Sequence, residues 1–89
     1  MNIIWSKLAW ADYQEWHRTD PRIAARINQL IEAVQRAPFT DIGKPEPLKR
    51  KFAGWRSRRI DSEHRLIYRV TGKRGAGQRI EIAQCRYHY

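Results

Sequence analysis

Three prolines and a glycine fall within residues 38–47 of this 89-residue chain, and the spacing of apolar residues changes across them. Proline fixes its own φ and pushes the residue before it out of the helical region, so regular structure does not run through such a stretch. Before it, Ile23, Ile27, Leu30, Ile31 and Val34 recur every three or four residues, the helical period. After it, Leu66, Tyr68 and Val70 alternate with Arg65, Ile67 and Arg69, the period of a strand. A helical half joined to a strand half is the signature of an α+β fold.

Local signals set the element boundaries. Asn2-Ile3-Ile4-Trp5 reads as a short strand, and Ser6 is placed to cap a helix over 7–17 with Ala9, Tyr13 and Trp16 on one face. Thr19-Asp20-Pro21 restarts the chain as a second helix over 21–37, with Asp20 as cap and Pro21 in the first turn, and Pro38 ends it. Beyond the connection, Leu48–Phe52 is expected as a strand and Trp55–Asp61 as the next, followed by a turn at Ser62-Glu63-His64. A strand over Arg65–Thr71, a flexible connection over Gly72–Gly77 and a last strand over Gln78–Arg86 complete the chain. The expected architecture is an antiparallel sheet of four to five strands with an N-terminal two-helix hairpin packed on one face, as one domain over 1–89. Trp5, Trp10 and Trp16 are assigned to its core, and Trp55 to core or to a stacking platform. Cys85 is expected buried and inert, on the same side as Tyr87. Arg65 and Arg69 then project from the face without helices, making it a basic concave surface.

Charge sharpens that division. Residues 1–43 hold five basic and five acidic side chains, whereas residues 44–89 hold thirteen basic and four acidic, the whole of the +9 net charge. A neutral half joined to a basic half reads as a scaffold bearing an anion-binding face, and RNA or DNA is the expected partner. A solvated charge run is the plain alternative. One cysteine excludes an internal disulfide, and no segment approaches the roughly 20 apolar residues of a membrane span. A cytoplasmic protein without membrane contact is expected.

The basic half also carries groups suited to breaking a phosphodiester bond. Attack by RNA's own 2′-hydroxyl needs a base for that proton, an acid for the departing 5′-oxygen and cations for the charge that builds between them. Glu46, between Pro45 and Pro47 with Lys44 and Lys49 nearby, is the candidate base, the alternative being an ordinary exposed carboxylate. His88 is the candidate acid, the alternative being a solvent-exposed histidine near the end of the sequence. His17 is expected to pack, and His64 to orient the sheet or to serve as the next candidate acid. Arg59 and Arg65 flank a short turn, where two guanidiniums make a phosphate clamp. Lys49, Lys51, Arg56, Arg58 and Arg69 are expected to grip the flanking RNA backbone. Tyr87 and Tyr89 are either packing residues or base-stacking ones; strand alternation assigns Tyr87 to the core and Tyr89 to the site. No cysteine–histidine spacing suggests a metal, and no cofactor is expected.

Gly43-Lys44-Pro45-Glu46-Pro47-Leu48-Lys49, Ser57-Arg58-Arg59-Ile60, Glu63-His64-Arg65-Leu66-Ile67-Tyr68 and the closing Cys85-Arg86-Tyr87-His88-Tyr89 together resemble the YoeB toxins of the RelE superfamily. Ile3-Ile4-Trp5-Ser6 and Thr19-Asp20-Pro21-Arg22-Ile23 fit as well, so the resemblance spans nearly the whole chain in order. It implies a RelE-like fold and a ribosome-dependent endoribonuclease that enters the A site and cleaves messenger RNA. It further implies a neighbouring YefM-type antitoxin that blocks the toxin, operator DNA bound only through the antitoxin complex, contact with rRNA, and a homodimer as one assembly. Carried across residue by residue, the base falls on Glu46, the phosphate-binding arginines on Arg59 and Arg65, the acid on His88 and the terminal tyrosine on Tyr89, with Lys49 as a further basic position. Two departures stand out: Trp55 is followed by Arg56 where the family has an aromatic pair, and the Gly72–Gly77 connection is longer than usual. The rivals are a non-catalytic nucleic-acid-binding module, which needs neither Glu46 nor His88, and a toxin of this fold acting on gyrase, which needs no RNase site.

Overall fold

The structure is a computed structural model describing residues 1–37, 43, 46–73 and 75–87. Strand β1 (Asn2–Trp5) leads into helices α1 (Lys7–Thr19) and α2 (Pro21–Arg36). Strands β2 (Glu46–Pro47), β3 (Arg56–Arg59), β4 (Arg65–Lys73) and β5 (Ala76–Gln84) follow, with a 3-10 turn over Arg50–Phe52 between β2 and β3. They form one five-stranded sheet ordered β1-β5-β4-β3-β2. The α+β architecture is the expected one. Among the described residues no helix is long and apolar enough to cross a membrane.

The helix starts follow from their caps. Ser6 Oγ accepts the Ala9 N–H at 3.0 Å, and the same hydroxyl donates to the Ala83 carbonyl at 2.8 Å, so one side chain starts α1 and ties it to β5. Asp20 closes α1, its N–H donating to the Trp16 carbonyl, and opens α2 by accepting the Arg22 N–H. Pro38, the expected stop, lies outside the described residues, and α2 ends at Arg36.

The helices cover one face of the sheet. Ala9 of α1 and Ile27, Leu30, Ile31 and Val34 of α2 pack with Leu66 and Tyr68 of β4 and Ile80 and Ile82 of β5. Trp5, Tyr13, Trp16, Ile23 and Val70 border this cluster. Full burial of each such aliphatic side chain stabilises by about 1.5–3 kcal/mol.

Four expectations about the sheet and core are corrected. The sheet is mixed, because β1 pairs parallel with β5, Ile3 opposite Ile80 and Trp5 opposite Ile82. Hairpins enforce antiparallel pairing only between strands joined by short turns, and β1 leaves through two helices. Leu48–Phe52 is not a strand. Pro47 pairs with Arg56, so the residues between them form the loop of a hairpin, closed by the Leu48 N–H on the Trp55 carbonyl at 2.9 Å. Arg50 within it has φ 61°, outside the extended region. The Gly72–Gly77 connection is shorter than expected, since β4 runs to Lys73 and β5 starts at Ala76. Trp10 is 46% exposed, its ring edge-on to Trp5 rather than inside the core.

Arg58 is the largest fully buried side chain. Its Nε donates to the Tyr68 hydroxyl at 3.0 Å and its Nη2 to the Ala37 carbonyl at 2.7 Å, joining β3, β4 and the end of α2. It therefore offers no surface to an RNA backbone, contrary to the sequence expectation. Removing an acceptor from a buried charged donor costs about 1–3 kcal/mol or more. Tyr68→Phe should lower the unfolding free energy by that amount, seen as a lower urea midpoint with little change in the slope by tryptophan fluorescence; an unchanged midpoint would contradict the assigned role.

Candidate nucleic-acid interface

Register decides what shares the open face. In the β3–β4 ladder Arg58 lies opposite Leu66 and Arg59 opposite Arg65, and Ser57 opposite Ile67. Arg58, Leu66 and Tyr68 belong to the helix-facing side, so alternation assigns Ser57, Arg59, Arg65 and Ile67 to the other. Glu46 pairs with Ser57 across β2 and β3. Glu46, Arg59 and Arg65 thus belong to one face, with Glu46 diagonal to Arg59 at a separation of roughly 7–8 Å, within reach of long side chains.

Two guanidiniums directly opposite one another repel. Arg59 is exposed. Arg65 is half-buried, its Nη1 donating to the carbonyls of Asp61 at 3.1 Å and His64 at 3.3 Å. Two positive groups, one anchored and one open to solvent, make a candidate seat for a phosphate. The Arg59 N–H donates to the Gly43 carbonyl at 2.7 Å. Gly43 has φ +83°, and a Cβ there would meet Leu30 Cδ2 at 2.9 Å and Arg58 Cβ at 3.0 Å, so the loop approaches the sheet this closely only through glycine.

The turn before β4 is organised by Asp61. Its Oδ1 accepts the N–H groups of Glu63 at 2.8 Å and His64 at 2.7 Å. Burial acts to raise this carboxyl, but those two N–H groups, with the charge of Arg65, outweigh it and hold it below the usual carboxylate range.

The remaining candidates are dispersed. Lys49 and Lys51 are exposed beside Pro47, Leu48, Arg50 and Phe52, which line a shallow groove. Arg50, exposed there, escaped the sequence reading because it carries no motif of its own. Arg69 is engaged: its Nη2 meets Glu81 Oε1 at 3.1 Å, and its guanidinium lies over the Trp55 ring at 4.4 Å. Trp55 is therefore neither core nor a free platform; an arginine covers it. Glu81 is held below its ordinary range by Arg69 first and then by the Thr71 hydroxyl, which donates to it at 2.7 Å. Arg56 lies opposite Tyr68, on the helix-bearing side. Arg26 of α2 was not expected near the site, yet it reaches the carbonyls of Ile60 and Arg59 at 3.4 Å each. A surface arginine reaching across 33 residues of sequence leaves no local signal.

At the end of the described chain alternation fails. Ile67 pairs with Gln84 and Tyr68 with Ile82, so β5 carries an irregularity there. Cys85 is fully buried with its Sγ toward the Ala9 carbonyl, and burial first, then the Asp12 charge, pushes its thiol up to about 12, keeping it protonated and unreactive. Tyr87 has φ 61° and is 52% exposed, so it is not a core residue. Lys44, His88 and Tyr89 lie outside the described residues.

Comparison with known proteins places these features in context. The family described as YoeB-like toxin of bacterial type II toxin-antitoxin system matches residues 5–89. Toxin YoeB of Escherichia coli strain K12 is 51% identical over 89 residues, covering all of both chains. The solved YoeB/ParE toxin from Agrobacterium tumefaciens superposes with a TM-score of 0.94 at 52% identity over 100% of both chains. The toxin chain in a heterotetrameric YoeB-YefM toxin-antitoxin complex from Staphylococcus aureus matches with a TM-score of 0.88 at 40% identity, over 100% of this chain and 98% of that one.

The Glu81 carboxylate sets a pH signature. A carboxyl held low in the folded state contributes stability that is present above its ordinary value of 4.5 and lost as pH falls through the folded value below it. Glu81→Gln should therefore melt at a lower temperature than the wild type near neutrality, and the gap should close as the pH drops below 4.5. A gap that stays constant on acidification would show that the carboxylate contributes nothing to folding.

Proposed function

The chain belongs to the YoeB-like toxins of bacterial type II toxin–antitoxin systems, and on that footing we propose that it is a ribosome-dependent endoribonuclease that cleaves messenger RNA in the A site. The observation that supports this reading is the β2–β3–β4 register, which assigns Glu46, Arg59 and Arg65 to one face. A module that only binds nucleic acid has no use for a carboxylate beside its phosphate seat, because that carboxylate repels the ligand.

In the proposed reaction the Glu46 carboxylate takes the proton of a 2′-hydroxyl, and the freed oxygen attacks the adjacent phosphorus. The O2′–P bond forms while the P–O5′ bond breaks. Arg59 and Arg65 hold the non-bridging oxygens, which gain charge in the transition state. His88 gives a proton to the departing 5′-oxygen, and Tyr89 contacts the nucleotide beside it. The products are a 2′,3′-cyclic phosphate and a 5′-hydroxyl, and no cofactor takes part. A YefM-type antitoxin is the proposed inhibitor, since the Staphylococcus aureus toxin forms a complex with YefM.

Single-turnover cleavage of messenger on programmed ribosomes tests the assignment. Glu46→Gln and His88→Ala should each slow cleavage by about 10²–10⁴-fold, the usual worth of a general acid or base. Rates within a few-fold of wild type for both would leave a basic binding module as the better description.

Ribosome affinity should fall steeply with added salt, as it does when phosphate contacts dominate. Charge reversal at Lys49, Arg50 and Lys51 should weaken binding more than reversal at Lys7 and Arg22, exposed residues of the neutral half. Equal losses from both sets would place the RNA elsewhere.

A further inference from the structure

His64 is buried at 7% exposure, at the entry to β4. Its ring packs edge-on to Trp16, centroids 4.8 Å apart, and against Tyr87 at 5.5 Å. Its Nδ1 accepts the Tyr87 N–H at 2.8 Å, and the next residue, Arg65, donates its N–H to the Tyr87 carbonyl at 3.1 Å. Both backbone groups of Tyr87 are thereby held by two consecutive residues, His64 just before β4 and Arg65, its first residue. Tyr87 needs holding: at φ 61° it occupies the left-handed region, which is strained for a non-glycine residue.

The two bonds differ in kind. Any residue at position 65 supplies the backbone donor, but the acceptor for the Tyr87 N–H comes from a side chain. A ring nitrogen that accepts has a free lone pair, so the proton of the neutral imidazole sits on Nε2, which lies 3.6 Å from Glu63 Oε2. The Asp61 carboxylate fixes the backbone of His64 from the other side. Charged groups around this ring are thus Asp61, Glu63, Arg65 and Arg86, the last lying over the Trp16 and Tyr87 rings.

Resting on the reading of His88 as the acid, we infer that His64 is a positioning residue that holds the backbone of Tyr87, the residue before His88 in sequence, against the start of the strand that carries Arg65. Arg65 of the seat is itself the second half of the clamp. Tyr87 and the Arg59–Arg65 pair are therefore referenced to the same two consecutive residues, His64 and Arg65, and His64 acts through Tyr87. Displacement of a catalytic group by about 1 Å costs about 10²-fold in rate.

Two variants separate positioning from packing. His64→Phe keeps the ring against Trp16 and Tyr87 but has no acceptor. His64→Asn loses the ring but places Oδ1 where Nδ1 stood. The expected result is a ten- to hundredfold slower single-turnover cleavage for His64→Phe at saturating ribosome, with unchanged ribosome affinity, and recovery to within a few-fold in His64→Asn. Amide hydrogen exchange at Tyr87 should accelerate at least tenfold in His64→Phe and stay near wild type in His64→Asn. A side chain that only packs gives the opposite order, with phenylalanine tolerated and asparagine impaired, and that order would overturn the inference. The imidazole 15N spectrum of the wild type needs no variant: a bare Nδ1 is expected, and a proton on Nδ1 overturns the clamp outright. The exchange and 15N measurements are independent of cleavage, so the clamp stands or falls even if His88 proves not to be the acid.

Discussion

The pairing of β3 with β4 carries both the core and the candidate site. A slip of one residue in that ladder would carry Leu66 and Tyr68 out of the core and turn Arg59 and Arg65 under the helices. The turn at Asp61 pins the register, because its carboxylate takes two successive N–H groups and leaves one way for the chain to re-enter the sheet. Arg58 locks it from below by binding the Tyr68 hydroxyl. Arg26 adds a tie from α2 to the last carbonyls of β3. The juxtaposition of Arg59 and Arg65 is therefore a by-product of the interactions that keep the sheet in register.

The basic half is less uniformly a binding surface than its composition suggests. Arg58 is structural, Arg69 is committed to Glu81 and Trp55, and Arg65 is anchored on two carbonyls. Ser57 and Ile67 are buried on the face that was expected to be bare. Of the cations left open to solvent, Arg59, Lys49, Arg50 and Lys51 lie toward the β2–β3 end of the sheet, and Lys73 and Arg79 lie on β4 and β5. Net charge measures the attraction of the domain for nucleic acid, but burial decides which side chains deliver it.

What could be read from the sequence was what local chemistry dictates. Ser6, Asp20 and Pro21 mark helix ends within one turn of themselves, and α2 shows its buried stripe at the helical period. Strand alternation found the core side of β4, and the Arg59–Arg65 juxtaposition followed from a short turn. What was missed depends on distant partners or on a single dihedral angle. Arg58 looks like any other arginine until Tyr68 and Ala37 are brought beside it. The parallel pairing of β1 rests on a strand some 77 residues away. Tyr87 was misassigned because alternation holds only while the chain stays extended, and β5 ends at Gln84.

The position of β5 bears on how the protein comes into being. It lies between β1 and β4, so the first strand made cannot be paired until the last described strand has been. Ser6, at the start of α1, likewise waits for the carbonyls of Ile82 and Ala83. Contacts of such long sequence separation slow folding, because chain entropy must be lost before they form. During synthesis the helical hairpin emerges early with its apolar stripe uncovered, and β1 stays unpaired until β5 arrives. The folding of this chain thus closes from its two ends together, and a partly made copy has neither a finished sheet nor the Tyr87 that His64 and Arg65 hold.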